Sequence, residues 1–336
     1  MVSPSAPGDS LDPSDFEDVL RAWGITAPLA TSPLALAEDR WQVEHAGEAL
    51  TLRRYASTRT AEAIAYEHEL LTFLTSRSWP VPVPMPTTSG ATLVEAHGAR
   101  WSLSPLLPGA PPPDESIFLQ RRGALLALVH ADLADWEPVV APDRASRLDD
   151  CDGAVRQHGL ASFEALLARV HVVDARRANA LAVLRARVDE QLAAYRYADL
   201  PALPLWGACT LEHVLFDGND VTGLLGFDEA RSDVRAVDIA ESILVDTRSV
   251  GWRIIRWVAG YAAHAKPPLT EQEADLVPVA MAAITLRRAA SVLAEAHASA
   301  AIDEQSLATV DTALTIEAHE DDLRQVIRTA ARLAPV

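Results

Sequence analysis

The chain has 336 residues, long enough for two domains or one large two-part fold. Its apolar fraction of 49% supplies a full globular core, while no run approaches the ~20 unbroken apolar residues of a membrane span. A formal net charge of −18 argues against a nucleic-acid partner, which needs a basic footprint; a single nucleotide in one local positive pocket remains compatible with it.

The N-terminal stretch MVSPSAPGDSLDPSDF has neither the basic nor the apolar region of a secretory signal, and residues 1–15 are expected to form a flexible tail. RWQVEHAGEALTLRRYA (40–56) predicts a hairpin, with alternating apolar positions on either side of a Gly47 turn. TAEAIAYEHELLTFL (60–74) places Ile64, Leu70, Leu71 and Leu74 at helical spacing. The prolines of WPVPVPMP (79–86) impose extended backbone, and ATLVEAHGARWSLSPLL (91–107) predicts a second hairpin turning at His97-Gly98. PGAPPPDES (108–116) is the one break in composition and reads as a stiff connector. Beyond it, Leu119–Leu133, Phe163–Tyr195 and three long segments after Asp233 carry helical stripes, interrupted only by strand-like runs in 204–228. There are no internal repeats. The expected fold class is α+β and bilobal: an N-terminal sheet lobe over 16–107, a connector over 108–113, and a mainly helical lobe over 114–336. Two cysteines, Cys151 and Cys209, make neither a disulfide framework nor a zinc site, and a cytoplasmic protein is the expectation.

These segments carry a resemblance. LTLRRYA (50–56) resembles the strand bearing the nucleotide-binding cation in the aminoglycoside phosphotransferase/choline-kinase branch of the protein-kinase-like fold. AYEHELLTFL (65–74) is similar to the helix whose glutamate pairs with that cation, and 79–109 to the two strands and hinge that follow. LLALVHADLA (125–134) resembles the first helix of the large lobe with its histidine, and 214–242 the strands and helix start beyond the catalytic loop. The similarity spans roughly residues 20–265.

Members of that family present a His-Gly-Asp brace, an asparagine five residues after the aspartate, and a second aspartate in an Asp-Phe turn. In the loop WGACTLEHVLF, at 206–216, the resemblance places Trp206-Gly207-Ala208 on the brace, His213 on the asparagine, and Gly226-Phe227 on the Asp-Phe pair of the 226–229 metal loop. The family aspartate orients and deprotonates the substrate hydroxyl, while the asparagine and second aspartate hold magnesium on the phosphates. Ala208 has no proton acceptor, Gly226 has no side chain, and imidazole is a poor magnesium ligand. Loss of the base alone costs about 10²–10⁴ in rate. Gly207 and Asp238, the resemblance implies, keep the loop framework, so the pattern is that of a pseudokinase.

Lys266 is the only lysine, so a phosphate-facing cation in the small lobe has to be an arginine. The resemblance assigns nucleotide contact to Arg53, with Arg54 as the competing strand residue and a plain surface ion pair as the ordinary alternative. Glu67 is the expected helix partner and Glu69 the alternative, against a solvated helix face. Ser104 and Leu106, at the end of the second hairpin, are the implied hinge contacts of the nucleotide. Asp228 and Glu229 are the only carboxylates able to replace the missing metal ligand, if the turn shifts; loop or helix-capping roles compete with this. Glu212-His213 reads as an acid-base pair, a partial metal site or, in the ordinary case, a solvated loop edge, and Cys209 as a packing residue sooner than a nucleophile. His130 is expected to pack within the large lobe, and Trp206 to fill the place of the brace histidine and narrow the substrate cleft.

Two readings result. One is a non-catalytic protein that binds ATP or another nucleotide without requiring magnesium, or a peptide or partner protein, in natural-product biosynthesis by analogy with relatives of the fold. No nucleic-acid or membrane partner is expected. The other is an atypical ATP-dependent phosphotransferase acting on a small-molecule or peptide hydroxyl through Asp228, Glu229 or His213.

Overall fold

The computed structural model describes residues 13–26, 30–34, 39–139, 148–207, 209–299 and 301–333. Most of the tail expected over 1–15 lies outside these residues; its described part, from Pro13 onward, is helical. The contacts divide the chain into two compact units. The first takes the chain through Ala110 and takes back Leu215–Leu225; the second takes Pro111–Glu137, the chain up to Val214, and everything from Gly226.

In the first unit, α1 (Pro13–Leu20) is followed by β1 (Ala30–Pro33), β2 (Arg40–His45), β3 (Glu48–Tyr55), α2 (Ala61–Ser76), β4 (Val94–Ala96) and β5 (Ala99–Pro105). The strands form one antiparallel sheet in the order β1-β2-β3-β5-β4. The hairpins turn at left-handed Ala46-Gly47 and His97-Gly98. Strand alternation sorts β3 into two faces. Leu50 and Leu52 join Phe16, Val19 and Leu20 of α1, Val43, Trp101 and Leu103 in one core cluster, while Thr51, Arg53 and Tyr55 occupy the other face. Helix α2 starts at Thr60, whose hydroxyl accepts the Ala63 N–H at 3.1 Å.

The second unit is mainly helical: α3 (Ser116–Leu133), α4 (Cys151–Arg156), α5 (Phe163–Val173) and α6 (Ala175–Ala194) precede the short strands β6 (Leu203–Leu205) and β9 (Arg231–Asp233), while between these the chain forms β7 (Val214–Asp217) and β8 (Asp220–Leu224), which fall almost wholly in the first unit. Then come α7 (Arg235–Asp246), α8 (Gly251–Ala262), α9 (Glu271–Ser299), α10 (Glu304–Ala318) and α11 (Glu320–Arg332). Strand β6 pairs with β9, and β7 with β8.

Three details depart from the sequence reading. The stripe over 163–195 is two helices, because Asp174 leaves helical geometry (φ −146°) and caps α6 by accepting the Arg177 N–H at 3.0 Å. Among the described residues after Asp233 there are five helices and not three segments: left-handed Arg248 and Ser249 end α7, and His319 separates α10 from α11. Residues 215–225, expected in the helical part, belong by contact to the first unit. There, Phe216 and Ala110 exchange backbone hydrogen bonds, Leu224 N–H donates to Pro80 and the Thr222 hydroxyl donates to the Pro108 carbonyl.

Helix α9 is long and apolar enough to cross a membrane, yet 78% of its apolar window is buried inside the protein, as in a core helix. Helices α3 and α8 cross at two glycines. A Cβ on Gly123 would come within 2.9 Å of Tyr261 N, and one on Gly260 within 2.8 Å of the Gln120 carbonyl carbon. Only glycine allows the two backbones this approach.

Candidate functional site

The first unit brings together the residues expected to carry the nucleotide cation. Arg53 Nη1 donates to Glu67 Oε1 at 2.5 Å, with the glutamate side chain 3% exposed. Arg53 also lies over the Tyr55 ring, 4.1 Å from its centroid, which fixes the guanidinium plane. The choice among the alternatives follows from strand period. Arg54 points to the opposite face, where its Nε donates to Asp39 at 2.8 Å, and Glu69 accepts the Val139 N–H at 2.7 Å.

Sequence reasoning missed Arg59, whose Nη2 donates to Glu67 Oε2 at 2.9 Å. It stands just before the cap of α2, so only the turn from β3 into the helix brings it back to Glu67. Beside this trio lies a buried polar chain. Tyr55 Oη is 2.8 Å from His68 Nε2 and accepts from the Ser102 hydroxyl, and His68 Nδ1 is 2.8 Å from Thr92 Oγ1. Burial pushes the His68 imidazole down to about 4, and the charges of Arg53 and Arg59 add to the effect.

Of the expected hinge contacts, Ser104 is half-buried opposite Thr51 in the β3–β5 ladder. Leu106 is half-buried and commits its N–H to the Ala49 carbonyl at 3.0 Å, which removes that donor from ligand binding.

In the second unit the loop framework is complete. Asp238 on α7 accepts the Trp206 N–H at 3.1 Å and the Gly207 N–H at 2.9 Å, and its Oδ2 lies 2.9 Å from His130 Nε2. His130 reaches Tyr261 Oη at 2.9 Å through its other nitrogen, so it packs as expected. A second brace was not foreseen: Asp246, two turns along α7, accepts the Leu211 N–H at 2.8 Å and the buried Arg122 Nε at 2.5 Å. Its signal was present as a second aspartate eight residues after Asp238 on the same helical stripe.

Ala208, the vacated base position, lies outside the described residues. Trp206 is corrected: it is fully buried and stacks on Phe227 at 5.1 Å and 11°, so its ring fills the interior of the unit and projects into no open space. Cys209 is fully buried, and burial raises its thiol well above the ordinary value, which leaves it the packing residue expected. Glu212 is exposed on the turn Leu211–His213, while His213 Nδ1 lies 3.1 Å from Thr210 Oγ1.

The metal loop is crowded at its first residue. Gly226 is left-handed (φ +76°), and a Cβ there would fall inside contact with His213 Nδ1, 2.6 Å from Cγ and 2.7 Å from Cε1. The imidazole thus occupies the direction in which the family aspartate would leave the backbone. Asp228 and Glu229 continue in a single 3-10 turn, Asp228 half-buried and Glu229 exposed. That turn is seated against Gly207, where a Cβ would be 2.7 Å from the Glu229 carbonyl carbon and 2.9 Å from its Cβ. Among the described residues, no three His, Cys, Asp or Glu side chains gather as a metal-ligand set. The residues present do not fit a magnesium ion held in the family manner.

The sequence model of the phosphotransferase enzyme family matches residues 33–276. A search of the curated proteins finds no match. Among solved structures, a microcompartment-associated aminopropanol kinase superposes with a TM-score of 0.70 at 18% identity, over 95% of this chain and 98% of that one. Spectinomycin phosphotransferase, solved with ADP and spectinomycin, gives 0.61 at 10% identity over 92% and 99%. A choline kinase from Streptococcus pneumoniae gives 0.60 at 8% identity over 90% and 97%. At these identities the likeness carries the kinase-like fold and not the chemistry.

Proposed function

The chain belongs to the phosphotransferase enzyme family, and we propose that it is a pseudokinase of that family: it binds a nucleotide, a peptide or a partner protein and lacks ordinary magnesium-dependent phosphoryl transfer. The observation that carries this reading is the His213 ring packed against Gly226, where the family holds its metal. Phosphoryl transfer relies almost entirely on positioning and on cations that neutralise the phosphates. With no carboxylate at 226 and an imidazole in its place, that stabilisation is missing.

The Arg53–Glu67 pair supports retention of nucleotide binding. Arginine offers phosphate oxygens two donors in a fixed fork, and Glu67 with Tyr55 holds it ready. ADP in spectinomycin phosphotransferase shows that a protein of this fold takes a nucleotide. The second reading, an atypical ATP-dependent phosphotransferase, draws on half-buried Asp228 and exposed Glu229, the two carboxylates that follow the vacated position in sequence.

One titration series separates the two. ATP, ADP and GTP are each titrated into the protein by calorimetry, with magnesium and with EDTA, alongside an ATP-turnover assay. In an active relative, magnesium relieves repulsion between the metal carboxylates and the phosphates. A like-charge pair at contact range is worth about 1–4 kcal/mol, and here the pairs are gone. The expected result is affinity unchanged by chelation, and turnover at background. A strong magnesium requirement, or rapid turnover, overturns the proposal in favour of catalysis through Asp228, Glu229 or His213.

A further inference from the structure

We infer that His213 and Gly226 form a compensating pair that closes the divalent-cation subsite of this fold by occupied volume, beyond the loss of its ligands. Three ring atoms of His213, Nδ1, Cγ and Cε1, all stand within 2.7 Å of the place a Cβ at 226 would take. Contact with three atoms at once means that the imidazole covers the Gly226 backbone with its body, including the atom attached to Cβ. A rotation of the ring tip cannot relieve such a contact. Thr210 Oγ1, 3.1 Å from Nδ1, fixes the ring orientation, and the residue sits at the end of the turn that feeds β7.

The two departures from the family pattern therefore belong together. An aspartate at 226 needs a residue at 213 that withdraws, and an imidazole at 213 needs nothing at 226. Each change alone reads as a lost ligand; as a pair they are a replacement of the metal by a side chain. The inference deepens the pseudokinase reading but stands on packing. Rapid ATP turnover would sink that reading, whereas the measurements below need no nucleotide and sink only this one.

The experiment is a double-mutant cycle on the full chain: His213→Ala, Gly226→Ala and the double variant, each unfolded thermally. The cost of placing a Cβ on left-handed backbone is present with either residue at 213 and cancels in the cycle, leaving ring against Cβ. Gly226→Ala is expected to lower Tm by about 4 °C or more, and His213→Ala in the same chain to recover at least half of that loss. If Gly226→Ala fails to fold, the double variant still decides, because closure predicts that it folds. Additive losses, or a double variant that also fails to fold, overturn the pair. A manganese titration without nucleotide adds a second arm. Wild type and His213→Ala are expected to give the same flat heats; saturable binding lost in His213→Ala would make the ring a ligand and overturn closure.

Discussion

Glu67 is a buried carboxylate facing two guanidinium groups that both keep some solvent, at 15% and 20% side-chain exposure. Removing the acid leaves two like charges together, which costs more than the pair ever contributed. Glu67→Gln is expected to lower stability by about 2–4 kcal/mol in urea unfolding, and Arg53→Ala or Arg59→Ala by less, because the remaining arginine still pairs the acid. His68 makes a second, pH-dependent statement. Its folded value is depressed to about 4 from the ordinary 6.5, so the unfolded chain takes up the proton first. Its contribution is full above about pH 6.5 and is lost as the pH falls towards about 4. The window is worth up to about 3 kcal/mol. Urea melts at pH 7, 5 and 4 should show this slope, and His68→Gln should flatten it. That Arg53 and not Arg54 meets α2 follows from the two-residue period of a strand, once the face buried against α1 is known; the choice between Glu67 and Glu69 does not.

Helix α7 does the most to shape the loop. Asp238 and Asp246 rise from one of its stripes; three of their carboxylate oxygens hold the backbone at Trp206, Gly207 and Leu211, while Asp238 Oδ2 also meets His130 and Asp246 Oδ2 takes Arg122. Asp238→Ala strands two buried N–H donors and a histidine, for a loss of about 3–5 kcal/mol. Hydrogen exchange at the Trp206 and Gly207 amides should accelerate beyond the change at α9. The crossing of α3 and α8 is a packing constraint of another kind. Gly123→Ala forces its Cβ into the backbone at Trp257 and Tyr261, which no side-chain rotation relieves. A fall of about 2–3 kcal/mol or more in chemical unfolding is expected. Nothing in the helical stripe of 119–133 singles out Gly123, because the reason for it lies on the neighbouring helix.

For the whole chain, the kinase-like fold is one matter and the proposed loss of the family's reaction another, tested by restoring side chains. Ala208→Asp alone is expected to leave ATP turnover with magnesium at background, since His213 and Gly226 still provide no metal site. Ala208→Asp with His213→Asn and Gly226→Asp is the smallest change that restores all three side chains, and turnover above the single variant in a coupled ATPase assay is the measurable outcome. Alternation in 40–56 and 91–107, helical spacing in 60–74 and 119–133, and the proline break at 108–116 were enough for the fold class, because those signals come from residues a few positions apart. The absence of a carboxylate at 208 and 226 is likewise plain in the residues themselves. Positions 213 and 226 lie apart in the sequence with a pair of strands between them, and only folding sets the imidazole over the glycine. In the same way, burial of Trp206 against Phe227, the second arginine on Glu67 and the allegiance of 215–225 to the first unit rest on approaches between distant segments. Local periodicity carries the hydrophobic pattern of each element; which side chains then share a space depends on long-range packing, and that is decided when the elements meet.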